Sequence, residues 1–152
     1  MKRSLTFLFL GAAAACLVAQ TADHPNFTGS WQLDTAKSEI HTKVQATAWA
    51  IQQNEDSIAI NQQLGAKTEV VKCGTNGSNC KAKPDGESGE VMFYYNGAML
   101  VETDFLGHDK DRVVKKRLKL AADGKTMEIE VQHVSPKGPT EKWVFEKLAE
   151  TR

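Results

Sequence analysis

Val113-Val114-Lys115-Lys116-Arg117-Leu118-Lys119-Leu120, then Ala121-Ala122-Asp123-Gly124, then Lys125-Thr126-Met127-Glu128-Ile129-Glu130-Val131-Gln132-His133-Val134, is the stretch that decides the fold. Each arm alternates apolar and polar residues for most of its length, which is the period of a strand. Asp-Gly between two such runs signals a hairpin. With Leu120 set opposite Lys125, Leu118 meets Met127 and Val114 meets Val131. On the other face Arg117 meets Glu128 and Lys115 meets Glu130. Opposite charges across an antiparallel pair add about 0.2–1 kcal/mol each, so they support this register without driving the fold.

The same reading extends outward. Residues 135–139, Ser-Pro-Lys-Gly-Pro, break the chain, and 141–148 form a last strand with Trp143 and Phe145 on one face. Upstream, 91–95 and 98–105 are strands joined at Asn96-Gly97, a favoured hairpin turn. That turn pairs Phe93 with Leu100 and Met92 with Val101. Near the start, 27–33 and 44–53 read as strands, another begins at Ile58, and 68–72 makes one more. Residues 81–89 read as a polar loop. The pattern predicts an all-β chain of eight or nine strands with turns every 8–12 residues or so and no long helix. Short loops make it a meander, and a meander this long removes its edges by closing. The expectation is a single antiparallel up-and-down barrel.

The first residues stand apart. Lys2 and Arg3 precede a short apolar run over 5–15, and Leu17-Val18-Ala19 fits the small-residue pattern before a cleavage point. This is the pattern of a secretory signal peptide over 1–22, with the domain over 23–152. A membrane-spanning helix needs about 20 apolar residues, and this run is shorter, so no membrane span is expected. Ala13-Ala14-Ala15-Cys16 loosely resembles a bacterial lipoprotein box, with Ala where Leu is usual. Lipidation would keep Cys16; cleavage after Ala19 or Ala22 would discard it. Either route predicts an exported protein, periplasmic or extracellular. The chain has 19 Lys plus Arg and 19 Asp plus Glu, and loses two of the basic residues with the leader. The slightly acidic, mixed-sign remainder argues against nucleic acid as a partner.

Cys73 and Cys80 remain in the exported part, and an even pair there reads as a disulfide. No Cys-x-x-Cys or paired-His spacing exists, so neither metal nor other cofactor is expected. The sequence has no Gly-x-Ser-x-Gly elbow, no Walker loop and no His-Glu-x-x-His, so no enzyme is expected.

The faces carry the functional expectation. The inward face of the central hairpin is Val114, Lys116, Leu118, Leu120, Met127, Ile129, Val131 and His133. Lys116, set opposite Ile129, is costly to bury unpaired. It can snorkel to a barrel mouth, be turned outward by a bulge near Val113-Val114, or mark with His133 a polar spot in a hollow barrel. A hollow barrel would take an apolar ligand with an anionic end, with Tyr94, Trp49 and Phe105 as further contacts. Met92, Tyr94, Met99, Val101 and Phe105 share one face of the Asn96-Gly97 hairpin. The other face carries Val91, Phe93, Tyr95 and Leu100 together with Glu102 and Asp104, which are read as looking outward toward Lys115 and Arg117. That makes an outer apolar patch, covered by loops or docking a protein partner.

Asn26-Phe27-Thr28-Gly29-Ser30-Trp31-Gln32-Leu33-Asp34-Thr35-Ala36-Lys37-Ser38 resembles the opening of a group of small exported bacterial proteins. Asp123-Gly124-Lys125-Thr126-Met127 and Trp143-Val144-Phe145-Glu146-Lys147 resemble their ends. More distantly, Gly29-Ser30-Trp31 resembles the Gly-x-Trp of lipocalins, the calycin-type barrels in which the tryptophan closes one end under an arginine. Here Lys147 or Arg152 would have to replace that arginine. The resemblance implies a lipocalin-like barrel closed at Gly29 and Trp31 and, by fold analogy alone, a small hydrophobic ligand. Two functions are carried forward: non-catalytic binding of a small apolar or amphipathic ligand, and a cell-envelope interaction module using the Phe93, Tyr95 and Leu100 patch.

Overall fold

The computed structural model describes residues 24–150. The 1–22 leader, with the alternatives at Cys16, Ala19 and Ala22, lies outside the described residues, as does Arg152. Ten strands form one antiparallel sheet: β1 Gly29–Leu33, β2 Ala48–Gln53, β3 Ser57–Leu64, β4 Lys67–Gly74, β5 Asn76–Ala82, β6 Gly89–Asn96, β7 Met99–Leu106, β8 Arg112–Leu120, β9 Thr126–Ser135 and β10 Thr140–Lys147. The order is β4-β3-β2-β1-β10-β9-β8-β7-β6-β5, so β1 pairs with β10 and every other neighbour is consecutive in the chain. The two sheet edges, β4 and β5, are consecutive in the chain and come together. The Cys73–Cys80 disulfide crosses that seam, with 5.7 Å between the Cα atoms. The result is a nearly closed up-and-down meander barrel.

It has ten strands rather than eight or nine. The extra one is β5, Asn-Gly-Ser-Asn-Cys-Lys-Ala, which carries no alternating apolar residues. Its backbone pairs with β6 from Asn76↔Tyr94 to Ala82↔Gly89, with a bulge between Asn76 and Asn79, and its side chains are mostly exposed or half-exposed.

Both hairpin registers are two residues from those expected, and a shift of two preserves the faces. In β8–β9 Leu118 faces Ile129, Arg117 faces Glu130 and Lys116 faces Val131. The turn sets this: Gly124 takes the left-handed conformation (φ +65°), and Asp123 Oδ1 accepts from the Lys125 N–H at 2.8 Å. Ala121 N–H then bonds Thr126 O and closes the loop one residue later than expected. In β6–β7 Gly97 (φ +59°) leads the turn, so Asn96 pairs with Met99 and Phe93 with Glu102.

The faces of β6–β7 are inverted relative to the sequence reading. Val91, Phe93 and Leu100 are fully buried in the core, and Tyr95 packs against them. The outer apolar patch therefore does not exist, and the interaction module built on Phe93, Tyr95 and Leu100 is withdrawn. Glu102 and Asp104 come inside with those residues, being on the same face of β7. Four large apolar side chains outweigh two carboxylates when the carboxylates find a buried cation.

The barrel has one closed end and one open end. Gly29, Asn96, Leu120, Thr126 and Lys147 mark the closed end by their positions along paired strands. There Phe27 and Trp31 are fully buried, Trp31 Nε1 donates to Phe27 O at 2.9 Å, and the Lys147 ammonium stands 5.5 Å from the Trp31 ring centroid. Gly29 takes φ +147°, and a Cβ there would lie 2.4 Å from Lys147 Cε, so the lysine stem crosses over bare backbone. Trp49, Phe93, Leu118, Ile129 and Phe145 fill the middle, with Trp49 and Phe145 rings 4.8 Å apart. At the open end residues 34–47 form a strap, tied to β10 by the Glu39↔Lys142 bridge.

Candidate ligand-binding site

A cleft of about 500 Å³ opens between the strap, the 135–139 turn, the 84–87 turn and the upper ends of β7, β8 and β9. Its walls include Leu106, Val114, Val131, Trp143, Pro84 and Val44, and its polar groups include Asp85, Asp104, Lys116 and His133. Exposed Lys43 and Lys137 stand at the rim, with Arg112, which is engaged by both Glu87 oxygens at 2.8 and 2.7 Å.

Lys116 is 1% exposed. It neither snorkels nor turns outward. A bulge does fall beside Val113-Val114, where β9 carries the extra Val134, but Lys116 stays on the inner face. Its ammonium sits 2.7 Å from Asp104 Oδ2, 3.1 Å from Asp85 Oδ2 and 3.2 Å from Glu102 Oε1. Glu102 is directly opposite on β7, and Asp104 is two residues along the same face. Asp85 comes from the short turn Pro84–Gly86, in a left-handed conformation (φ 51°, ψ 29°), with its N–H held by the buried Gln62 side chain at 2.8 Å. Asx side chains tolerate that backbone better than most.

Burial alone would discharge this lysine. Asp104, Asp85 and Glu102 outweigh that penalty and hold its pKa well above the ordinary range. Burial, then the charge of Asp104, pushes Glu102 well above the usual carboxylate range against the pull of Lys116. Asp104 is raised by burial, again against Lys116. Glu102 and Asp104 stand on one face of β7 against the same ammonium, and the charge of Asp104 adds to the rise at Glu102. The cluster sets three carboxyl groups around one ammonium.

A second polar group orders the strap. Glu141, 1% exposed on β10, accepts from Trp143 Nε1 at 2.8 Å and from the His41 N–H at 3.2 Å. Burial opposes its charge, but these bonds and one from Thr42 win, and its pKa is lowered. His133 Nε2 lies 3.8 Å from Glu141 Oε1.

Of the residues predicted from sequence, Lys116 and His133 line the cleft. Trp49 is core and does not line it. Tyr94 and Phe105 lie on the outer face, one residue out of phase with buried Phe93 and Asp104. The sequence reading missed Asp85, Glu102, Asp104, Glu141 and Trp143 as site residues. A signal for two of them was present: once Lys116 is taken as inward, Glu102 and Asp104 on the neighbouring strand are the charges that answer it.

Neither the family profiles nor the curated proteins contain a match. Among solved structures 129 chains match. One is described as a REP1-NXSQ fatty acid transporter, at 13% identity and TM-score 0.64, covering 82% of this chain and 98% of that one. A likeness at that identity establishes a shared barrel fold.

Proposed function

We propose that this chain is a non-catalytic binding barrel that takes a small amphipathic molecule into the mouth cleft, and that it works outside the cytoplasm. The observation that carries this is the cleft itself. Its volume of about 500 Å³ lies in the usual range for ligand pockets, and apolar walls lead down to a charged floor. The fatty acid transporter of similar fold supports a ligand with an apolar part, by fold analogy alone. The leader pattern and the disulfide support export, with removal of 1–22.

The test is uptake of the neutral fluorescent probe phenylnaphthylamine by the purified chain. Binding in the micromolar range or tighter is expected, and Val114→Phe, which fills the cleft from a half-buried position, should abolish it while the fold stays intact by circular dichroism. Folded parent protein that takes up no probe, or a Val114→Phe variant that binds it equally, sinks the reading.

A further inference from the structure

The cleft has apolar walls, but its floor is short of hydrogen-bond donors. Three carboxylates bring six oxygens around Lys116, whose ammonium has only three N–H groups to share among them; it donates to Asp85 and Glu102 and stands 2.7 Å from Asp104. Asp85 Oδ1, Glu102 Oε2 and Asp104 Oδ1 are buried and have no donor among the described residues. Asp104 matters most. Its side chain is 2% exposed, it lies on the cleft floor, and one of its two oxygens is unpartnered. Buried carboxylate oxygens without donors are costly, so a bound molecule that brings donors gains more here than in water.

Charge points the same way. The floor holds three carboxyl groups around one ammonium, so a carboxylate head group would meet further acids and find the lysine already taken. The rim cations do not reverse this: Arg112 is engaged by Glu87, and Lys43 and Lys137 are in solvent. This departs from the sequence expectation of an anionic end, which rested on Lys116 and His133.

Resting on the cleft reading above, we propose that the polar end of the ligand is a protonated amine, seated on Asp85 and Asp104 beside Lys116, with its apolar part against Val114 and Trp143. An ammonium supplies up to three donors to these oxygens. Hydrogen bonds between charged groups are roughly twice as strong as neutral ones.

Decylamine, decanol and decanoate share one chain and differ in the head, so they separate the two readings when each displaces phenylnaphthylamine from the parent protein. Decylamine is expected to bind about tenfold or more tighter than decanol, and decanoate no better than decanol. Asp104→Asn and Asp85→Asn should bring decylamine to the level of decanol and leave decanol unchanged. If Asp104→Asn fails to fold, Asp85→Asn decides, because Asp85 sits on a turn with its side chain a quarter exposed. Equal binding of all three compounds, a preference for decanoate, or an Asp85→Asn variant that keeps the amine preference overturns the proposal and leaves the cleft reading standing. Failure of the parent to take up the probe or any of the three defeats the cleft reading itself.

Discussion

A lysine deep in a barrel is tolerated only where charge answers charge. Removing its partners would leave an uncompensated ammonium, and such changes cost about 3–5 kcal/mol. Lys116 avoids this by meeting carboxylates from three positions, but the arrangement buries more acid than base. Glu102 bears the consequence, since burial and Asp104 raise its pKa. The folded chain therefore holds a proton that the unfolded chain releases at lower pH. Stability contributed by that proton is present below the ordinary carboxylate range and is lost as pH rises toward the folded-state pKa. Glu102→Gln keeps an acceptor for Lys116 and a donor for Asp104 and cannot ionise. Its melting temperature relative to the parent is expected to climb across the pH window that opens above the ordinary carboxylate range, because the parent loses about 1.4 kcal/mol for each pH unit over which only its folded form keeps the proton. Thermal melts across that window check it; a difference that stays flat, or falls with rising pH, would place the proton elsewhere.

Strands differ in how clearly they announce themselves. β9 alternates from Thr126 to Gln132 and β8 from Arg117 to Leu120 before the Asp123-Gly124 turn, so their existence and faces are legible, while their register depends on where Gly124 can adopt φ +65°. The β6–β7 faces could not be ranked from alternation, because each held both apolar and polar residues and the cation that answers Glu102 and Asp104 lies on another strand. β5 had no apolar period to read. A strand of that composition contributes little burial, and it stays in place through its ladder with β6 and the disulfide to β4. Replacing Cys73 and Cys80 together by Ala should cost about 2–3 kcal/mol, the chain-entropy value for so short a loop. The loss should be local. Amide hydrogen exchange is expected to accelerate across Asn76–Ala82, with the β8–β9 amides keeping their protection under native conditions. Uniform acceleration through all ten strands would mean that the seam holds the whole barrel shut.

Across the whole molecule, the three tryptophans divide the labour of the two ends. Trp31 is sealed at the closed end under Lys147, Trp49 packs on Phe145 in the middle, and Trp143 borders the cleft with its ring N–H on Glu141. The resemblance to the lipocalin Gly-x-Trp implies closure at Gly29 and Trp31, and in the structure these two sit two apart on one strand beside Lys147. The open end was not legible, because its floor is assembled from β7, β8 and the isolated turn at Asp85, which no local pattern connects. This asymmetry makes the position of a ligand readable by fluorescence. Decanol has no chromophore, so a change in tryptophan emission on its addition comes from the protein. Occupancy of the cleft crowds Trp143, which lines it, and leaves Trp31 and Trp49 untouched, since neither lines it. Trp143→Phe should therefore remove the emission change without preventing displacement of phenylnaphthylamine, and Trp31→Phe should leave the change in place. A change that survives Trp143→Phe and disappears in Trp31→Phe would put the ligand at the other end of the barrel, among the aromatics that the fold uses to close it.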